Sequence, residues 1–277
     1  AGTLPYVRQL RRRLSCRRSF REVNSMAVVD KLIEILCRER GERPIVCPQS
    51  QKDSYWRALV NVRPPAPLSE EYIALEGQYL GGKLAERGVV NAEKLHYSGN
   101  IALWKGDITR LKADAIVNAA NSAMLGCFYP CHGCIDNAIH TFAGARLRQE
   151  CARIMSEQGH EEPVGSAKIT PAYNLPSKYV VHTVGPIVCG ALTQTHRSQL
   201  ESCYSSCLNL ALKSGIKSLA FCCISTGEFH FPNEEAARIA ADTVDKFLRE
   251  NDGMKVIFNV FKEVDYEIYK RLLSERG

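Results

Sequence analysis

From about residue 99 onward, short apolar runs alternate with longer stretches of helical periodicity, and this alternation limits the available folds more than any other feature of the chain. The predicted strands are Ile101–Trp104, Ala115–Asn118, Ala167–Pro171, Tyr179–Thr183, Ser218–Ile224 and Val256–Val260. Predicted helices fall between them, at Asp136–Phe142 with Ala145–Ser156, Thr195–Ser214, Glu234–Glu250 and Tyr266–Ser274. Strands alternating with helices argue for an α/β sandwich around a mostly parallel or mixed sheet. Ligands in such folds bind beyond the carboxyl ends of the strands, in loops that lead to helices. Here those ends carry Gly106-Asp107-Ile108, Asn118–Asn121, a cysteine/histidine loop at 127–134, and Ser225–Phe229.

The preceding region reads as mainly helical. Val28, Leu32, Ile35 and Leu36 stand at helical spacing between Ala27 and Arg38, and a proline-containing loop (Pro44, Pro48) leads to a segment around Tyr55–Val62. Pro64-Pro65-Ala66-Pro67 cannot be helix interior. Ser69 reads as the N-cap of a further helix bearing Tyr72, Leu75 and Leu80. The predicted organisation is therefore an arginine-rich leader (1–25), a helical region (26–98) and an α/β domain (99–277). The helical region carries no recognisable catalytic set, and its role is left open between lid, docking surface and support.

The net charge of +6 is not spread evenly. Residues 1–95 hold 17 Lys and Arg against 11 Asp and Glu, whereas residues 96–277 hold 19 of each. Residues 1–21 alone contain seven arginines and no acid. The basicity belongs to a tail, which argues against nucleic acid as the main partner. Serine, arginine and the lack of acids give that tail the composition of a mitochondrial transit peptide, with a solvated basic helix or a disordered leader as the alternative. No run approaches the roughly 18 apolar residues of a membrane span. The twelve cysteines are scattered, several inside apolar runs such as Leu219-Ala220-Phe221-Cys222-Cys223-Ile224, as expected of buried reduced thiols. These features predict a reducing intracellular compartment, cytoplasmic, or mitochondrial if the leader is a transit peptide; a monomer is expected, on no feature of the residues.

Four segments carry candidate chemistry. Cys127, Cys131, His132 and Cys134 fall within eight residues, just ahead of Asp136 at a predicted helix start. Cys-x4-His-x-Cys supplies three zinc ligands and leaves one position open, as in catalytic zinc sites. Cys131 leaves two alternatives, a closed four-ligand structural site or a Cys-x-x-Cys redox pair. Against closure, the side chains of adjacent Cys131 and His132 diverge in most backbone geometries. Gly106-Asp107-Ile108-Thr109 reads as a strand-end turn in which Asp107 caps or accepts a bond from an exocyclic amine. Val117-Asn118-Ala119-Ala120-Asn121 places two asparagines after a strand, as turn residues or as amides for vicinal hydroxyls. Ser225-Thr226-Gly227-Glu228-Phe229 has the make-up of a backbone phosphate cradle, or of a plain turn at Gly227. His140 and His182 read as satisfied core or helix histidines, and His230 as a weaker candidate for a substrate contact.

In this order, with Ile135-Asp136-Asn137-Ala138-Ile139-His140 ahead of Ala143-Gly144, and with Val181-His182-Thr183-Val184-Gly185-Pro186, the motifs resemble the ADP-ribose-binding macrodomain family over roughly residues 100–275. The chain is most similar to the zinc-containing, sirtuin-linked macrodomain hydrolases, and this likeness extends upstream through Asn61-Val62-Arg63-Pro64-Pro65. The resemblance implies a three-layer α/β/α sandwich. It assigns Asp107 and Ile108 to adenine, Phe261 to stacking on it, and Ser225, Thr226, Gly227, Glu228 and Phe229 to the diphosphate. It assigns Asn121 and Ile135 to the distal-ribose end, Asp136 and Asn121 to catalysis, and Cys127, His132 and Cys134 to Zn2+. The implied reaction is removal of mono-ADP-ribose from an ADP-ribosylated protein, with ADP-ribose as product. Zinc would either activate water or orient the ribose; the second is preferred, with Asp136 as base. The rival readings are a non-catalytic ADP-ribose reader and an O-acetyl-ADP-ribose deacetylase.

Overall fold

A computed structural model of the chain describes residues 27–275. The arginine-rich leader thus lies outside the described residues. Helix α1 (residues 27–39) is followed by α2 (Gln49–Val62) and α3 (Glu70–Arg87). Ser69 caps α3 as predicted, its side chain accepting from the Tyr72 N–H, with Glu70 and Glu71 in the first turn where the helix dipole favours acids. Gly88, at φ +76°, ends it. The apolar faces of these helices form a small core of their own, in which Leu32 and Leu36 of α1 meet Trp56 of α2 and Tyr72 and Tyr79 of α3.

The strands are β1 (Val90–Asn91), β2 (Tyr97–Ser98), β3 (Ile101–Lys105), β4 (Leu111–Lys112), β5 (Ala115–Ala120), β6 (Ala167–Pro171), β7 (Tyr179–Val184), β8 (Ser218–Phe221) and β9 (Lys255–Val260). Among the described residues β1 pairs with β4, and a seven-stranded sheet runs in the order β2-β3-β9-β8-β5-β7-β6. Its five inner strands are parallel, while β2 and β6 join the edges antiparallel. The sheet thus recruits residues upstream of 99. Central β5 is buried at Ala115, Ile116, Val117, Asn118 and Ala120, as expected for a strand covered on both faces.

The remaining helices are α4 (Ile135–Ala143), α5 (Ala145–Gln158), α6 (Gln194–Lys213), α7 (Asn233–Glu250) and α8 (Glu263–Ser274). They complete the α/β/α sandwich. Helix α7 buries Ala236, Ala237, Ala240, Ala241 and Val244, one stripe of small residues that lets it lie close to its neighbours. Two strand expectations shift. Ser218–Ile224 stops at Phe221, because the chain turns there into the loop carrying Ser225. The strand expected over Ala115–Asn118 runs on to Ala120, so Asn118 lies inside β5 and not at its end. Among the described residues no helix is long and apolar enough to cross a membrane, and every described cysteine is free.

Candidate active site

A cleft of about 640 Å³ opens at the carboxyl ends of β3, β5, β8 and β9. All the residues to which a site role was assigned line it: Asp107 and Ile108, Asn121, Cys127, His132 and Cys134, Ile135 and Asp136, Ser225 to Phe229, and Phe261. His230, at φ +55°, is not among its lining residues.

At one end stands Asp136, in the first turn of α4. The Asn118 amide donates to its Oδ1 at 2.8 Å, and the Asn121 amide reaches Oδ2 at 3.4 Å. Burial raises the Asp136 carboxyl to about 6, opposed by the Asn118 hydrogen bond and the charge of Arg148. Asn118 also donates to Nδ1 of His182 at 3.2 Å, so the other ring nitrogen is the protonated one and faces Thr170 Oγ1 at 3.0 Å. Burial lowers His182 to about 3, which keeps this chain neutral behind the carboxylate. His182 is thus a satisfied core histidine, but His140 is not. Both its nitrogens are buried without a hydrogen-bond partner, and Nε2 stands 3.6 Å from Asp136. Burial, then His182 and Arg148, hold it well below the usual histidine range. The carbonyl oxygens of Asn118 and Asn121 are likewise buried and unpartnered.

Beside Asp136, the ligand atoms of Cys127, His132 and Cys134 lie within 4.8 Å of one another. Cys127 Sγ is 3.7 Å from His132 Nδ1. Tetrahedral zinc with bonds of about 2.3 Å to sulfur and 2.0 Å to nitrogen spaces two such ligands about 3.5 Å apart, so the donor set fits zinc in both chemistry and spacing. Cys134 also caps α4 by accepting the Asn137 N–H, and burial pushes its thiol up to about 12. Cys131 stands apart from this trio. At φ +55° its backbone turns the side chain outward, and Sγ donates to the Ser54 carbonyl of α2.

Ser225 opens the loop after β8 at φ +64°, with its Oγ buried and unpartnered. Among the described residues, the backbone N–H groups of Thr226, Gly227, Glu228 and Phe229 donate to no other backbone group. Successive free donors of this kind suit an anion. At the far end Phe261 is 75% exposed on the rim, a free aromatic face. Asp107 proves to be both turn cap and cleft wall: Oδ1 accepts from the Thr109 N–H, and Oδ2 takes Arg87 at 2.9 Å.

The helical lobe is built into this site. Arg57 of α2 lines the cleft and donates to the His132 carbonyl and the Asn137 side chain. Asn61 accepts the Cys131 N–H and donates to Thr141. Arg148 of α5 donates to the carbonyls of Leu125, Val60 and Arg63 and lies 4.2 Å from the Phe128 ring. Sequence reasoning missed these residues because each acts on a backbone group distant in the chain. Asn61 alone left a trace, in the Asn-Val-Arg-Pro-Pro segment.

Residues 117–240 match the Macro domain family. A protein-ADP-ribose hydrolase of Treponema medium is 51% identical over 252 residues, covering 88% of this chain and 97% of that protein. A protein-ADP-ribose hydrolase of Staphylococcus aureus is 46% identical over 258 residues, covering 91% of this chain and 97% of that protein. Among solved structures, the Trypanosoma brucei macrodomain in complex with ADP-ribose is similar at a TM-score of 0.61 and 34% identity, over 78% of this chain and 94% of that one.

Proposed function

The chain belongs to the macrodomain family, and on that premise we propose that it is a zinc-dependent hydrolase removing mono-ADP-ribose from modified protein side chains. One observation carries the reading. A buried carboxylate held by two asparagines and a three-ligand zinc-type donor set stand together at one end of a cleft whose middle offers free backbone donors.

ADP-ribose laid along the cleft puts adenine between Ile108 and Phe261, diphosphate on residues 225–229, and the distal ribose between Asn121 and Asp136. The orphaned Asn121 carbonyl suits a ribose hydroxyl donor. Cleavage at C1″ has oxocarbenium character, so the Asp136 carboxylate stabilises developing positive charge and accepts a proton from the attacking water. The water oxygen bonds to C1″ as the acceptor side chain leaves with the bonding pair. Asn118 fixes the carboxylate, and the neutral His182 behind it fixes Asn118. Zinc held by Cys127, His132 and Cys134 supplies a Lewis-acidic cation at the ribose end.

Metal analysis of wild type and Cys127→Ser, paired with release of ADP-ribose from Asp/Glu-, Ser- and Arg-linked substrates, tests this. Wild type is expected to carry stoichiometric zinc and turn over at least one linkage, and Cys127→Ser to lose both. Metal and activity both retained in Cys127→Ser would reject the zinc site. Zinc-loaded wild type inert on every linkage would reject the hydrolase.

A further inference from the structure

The His132 ring joins two loops that the sequence keeps far apart. Its Nδ1 faces Cys127 Sγ at the separation two zinc ligands adopt, so Nδ1 is the metal-side nitrogen. Nε2 then points away from the metal position, toward Oε1 of Glu228 at 3.7 Å. Tyr129 packs edge-on against the same ring, with centroids 5.5 Å apart. Glu228 belongs to the loop after β8, the one offering free backbone donors to the diphosphate. A carboxylate beside those donors works against an anion there, and its approach to the imidazole gives it a different task.

We propose that Glu228 is a positioning residue for the metal centre, accepting the Nε2–H of His132 while Nδ1 ligates zinc. The inference rests on the zinc reading above and deepens it. A histidine ligand donating its second N–H to a carboxylate is fixed in tautomer and ring orientation and becomes a more basic ligand. The two thiolates and one zinc ion sum to neutral, and the Glu228 carboxylate directs its charge at the one uncharged ligand. The arrangement also ties the phosphate loop to the metal loop across the middle of the cleft. Glu228 is 69% exposed at its side chain, so no packing reason holds it at this distance.

The test is zinc affinity, read by competition with a chromogenic chelator, in wild type, Glu228→Ala and Glu228→Gln. Loss of a carboxylate in this position lowers metal affinity about 10- to 100-fold, and that loss is expected for Glu228→Ala, with Glu228→Gln between it and wild type. The metal-free melting temperature should be the same in all three, because the side chain is exposed. Cobalt-substituted Glu228→Ala should keep the thiolate-to-metal charge-transfer bands of wild type, since Cys127, His132 and Cys134 are untouched. Equal zinc affinity in wild type and Glu228→Ala overturns the inference and leaves the zinc site standing. A changed cobalt coordination spectrum in Glu228→Ala makes Glu228 a direct ligand and likewise overturns it. Failure of wild type to bind zinc at all overturns both this inference and the zinc reading beneath it.

Discussion

Asp136 combines a buried carboxylate with an Asn118 hydrogen bond that an amide oxygen can also accept, which makes its substitution informative. Asn at this position keeps the shape and still accepts from Asn118, yet cannot take a proton from water. Asp136→Asn should lower turnover by about 10²- to 10⁴-fold, the usual worth of a general base. Its dissociation constant for ADP-ribose, measured by calorimetry, should stay within a few-fold of wild type. Turnover unchanged in this variant would remove Asp136 from the chemistry. A second residue, Gly185 just after β7, is constrained by space. A Cβ there would stand 2.1 Å from Ser225 Oγ and 2.8 Å from Ile224. Ser225 already sits at positive φ and has little room to yield. Gly185→Ala should therefore displace the loop at 225–229 and weaken ADP-ribose binding, with an unchanged circular dichroism spectrum. Undiminished binding would show that the loop does not hold the diphosphate.

At the scale of elements, the junction between α3 and α5 is held by a buried acid. Glu76 of α3 takes the Tyr72 hydroxyl at 2.9 Å and the Ala145 N–H at 3.0 Å, capping α5 from another element because its own N-cap is Gly144. Burial raises the Glu76 carboxyl from 4.5 to about 7, with the hydrogen bonds opposing. A carboxyl raised in the folded state binds its proton more tightly there than when unfolded. Its stabilising contribution is whole below about pH 4.5 and is lost as pH climbs through 7. The span is on the order of 3 kcal/mol, at about 1.4 kcal/mol per unit. Glu76→Gln should flatten this dependence, so that urea unfolding at pH 5 and pH 8 gives more similar stabilities than in wild type. An unchanged slope would mean that Glu76 does not titrate in this window.

Across the whole molecule, two apolar cores meet along α2, α4 and α5, and polar ties cross the seam. Arg148 is the most concentrated of them, gathering carbonyls from the loop before Cys127 and from the end of α2. Removing it leaves three carbonyls without that donor, each worth about 1–3 kcal/mol if it stays dry. Arg148→Ala should destabilise the protein by about 3 kcal/mol or more, and should separate unfolding of the helical lobe from that of the sheet. The check is urea unfolding, in a Trp104→Phe background, followed by Trp56 fluorescence and by far-UV circular dichroism, which should coincide with Arg148 present and diverge without it. Coincident curves in Arg148→Ala would place the coupling elsewhere.

Much of this protein was legible in the chain itself. Strand and helix periods, the prolines at 64–67 and the Ser69 cap are local properties, set by sterics and hydrogen bonding within a few residues, so they survive reading without a fold. The clustering of Cys127, His132 and Cys134 was legible for the same reason, since their ligand atoms all come from one eight-residue loop. Tertiary structure alone decided what stands behind and across from these groups. Asn118 reads as a turn residue or a hydroxyl-binding amide until β5 and β7 set it between Asp136 and His182. Arg57 carries no signal in the chain, and Asn61 only its place in a motif, until α2 is laid against the 127–134 loop. His140 was misjudged because its burial is certain from the pattern, whereas its lack of partners depends on three other elements. Glu228 lies nearly a hundred residues beyond His132 in the chain, and only the parallel placement of β5 and β8, which brings their carboxyl ends to one edge of the sheet, sets the two side chains face to face.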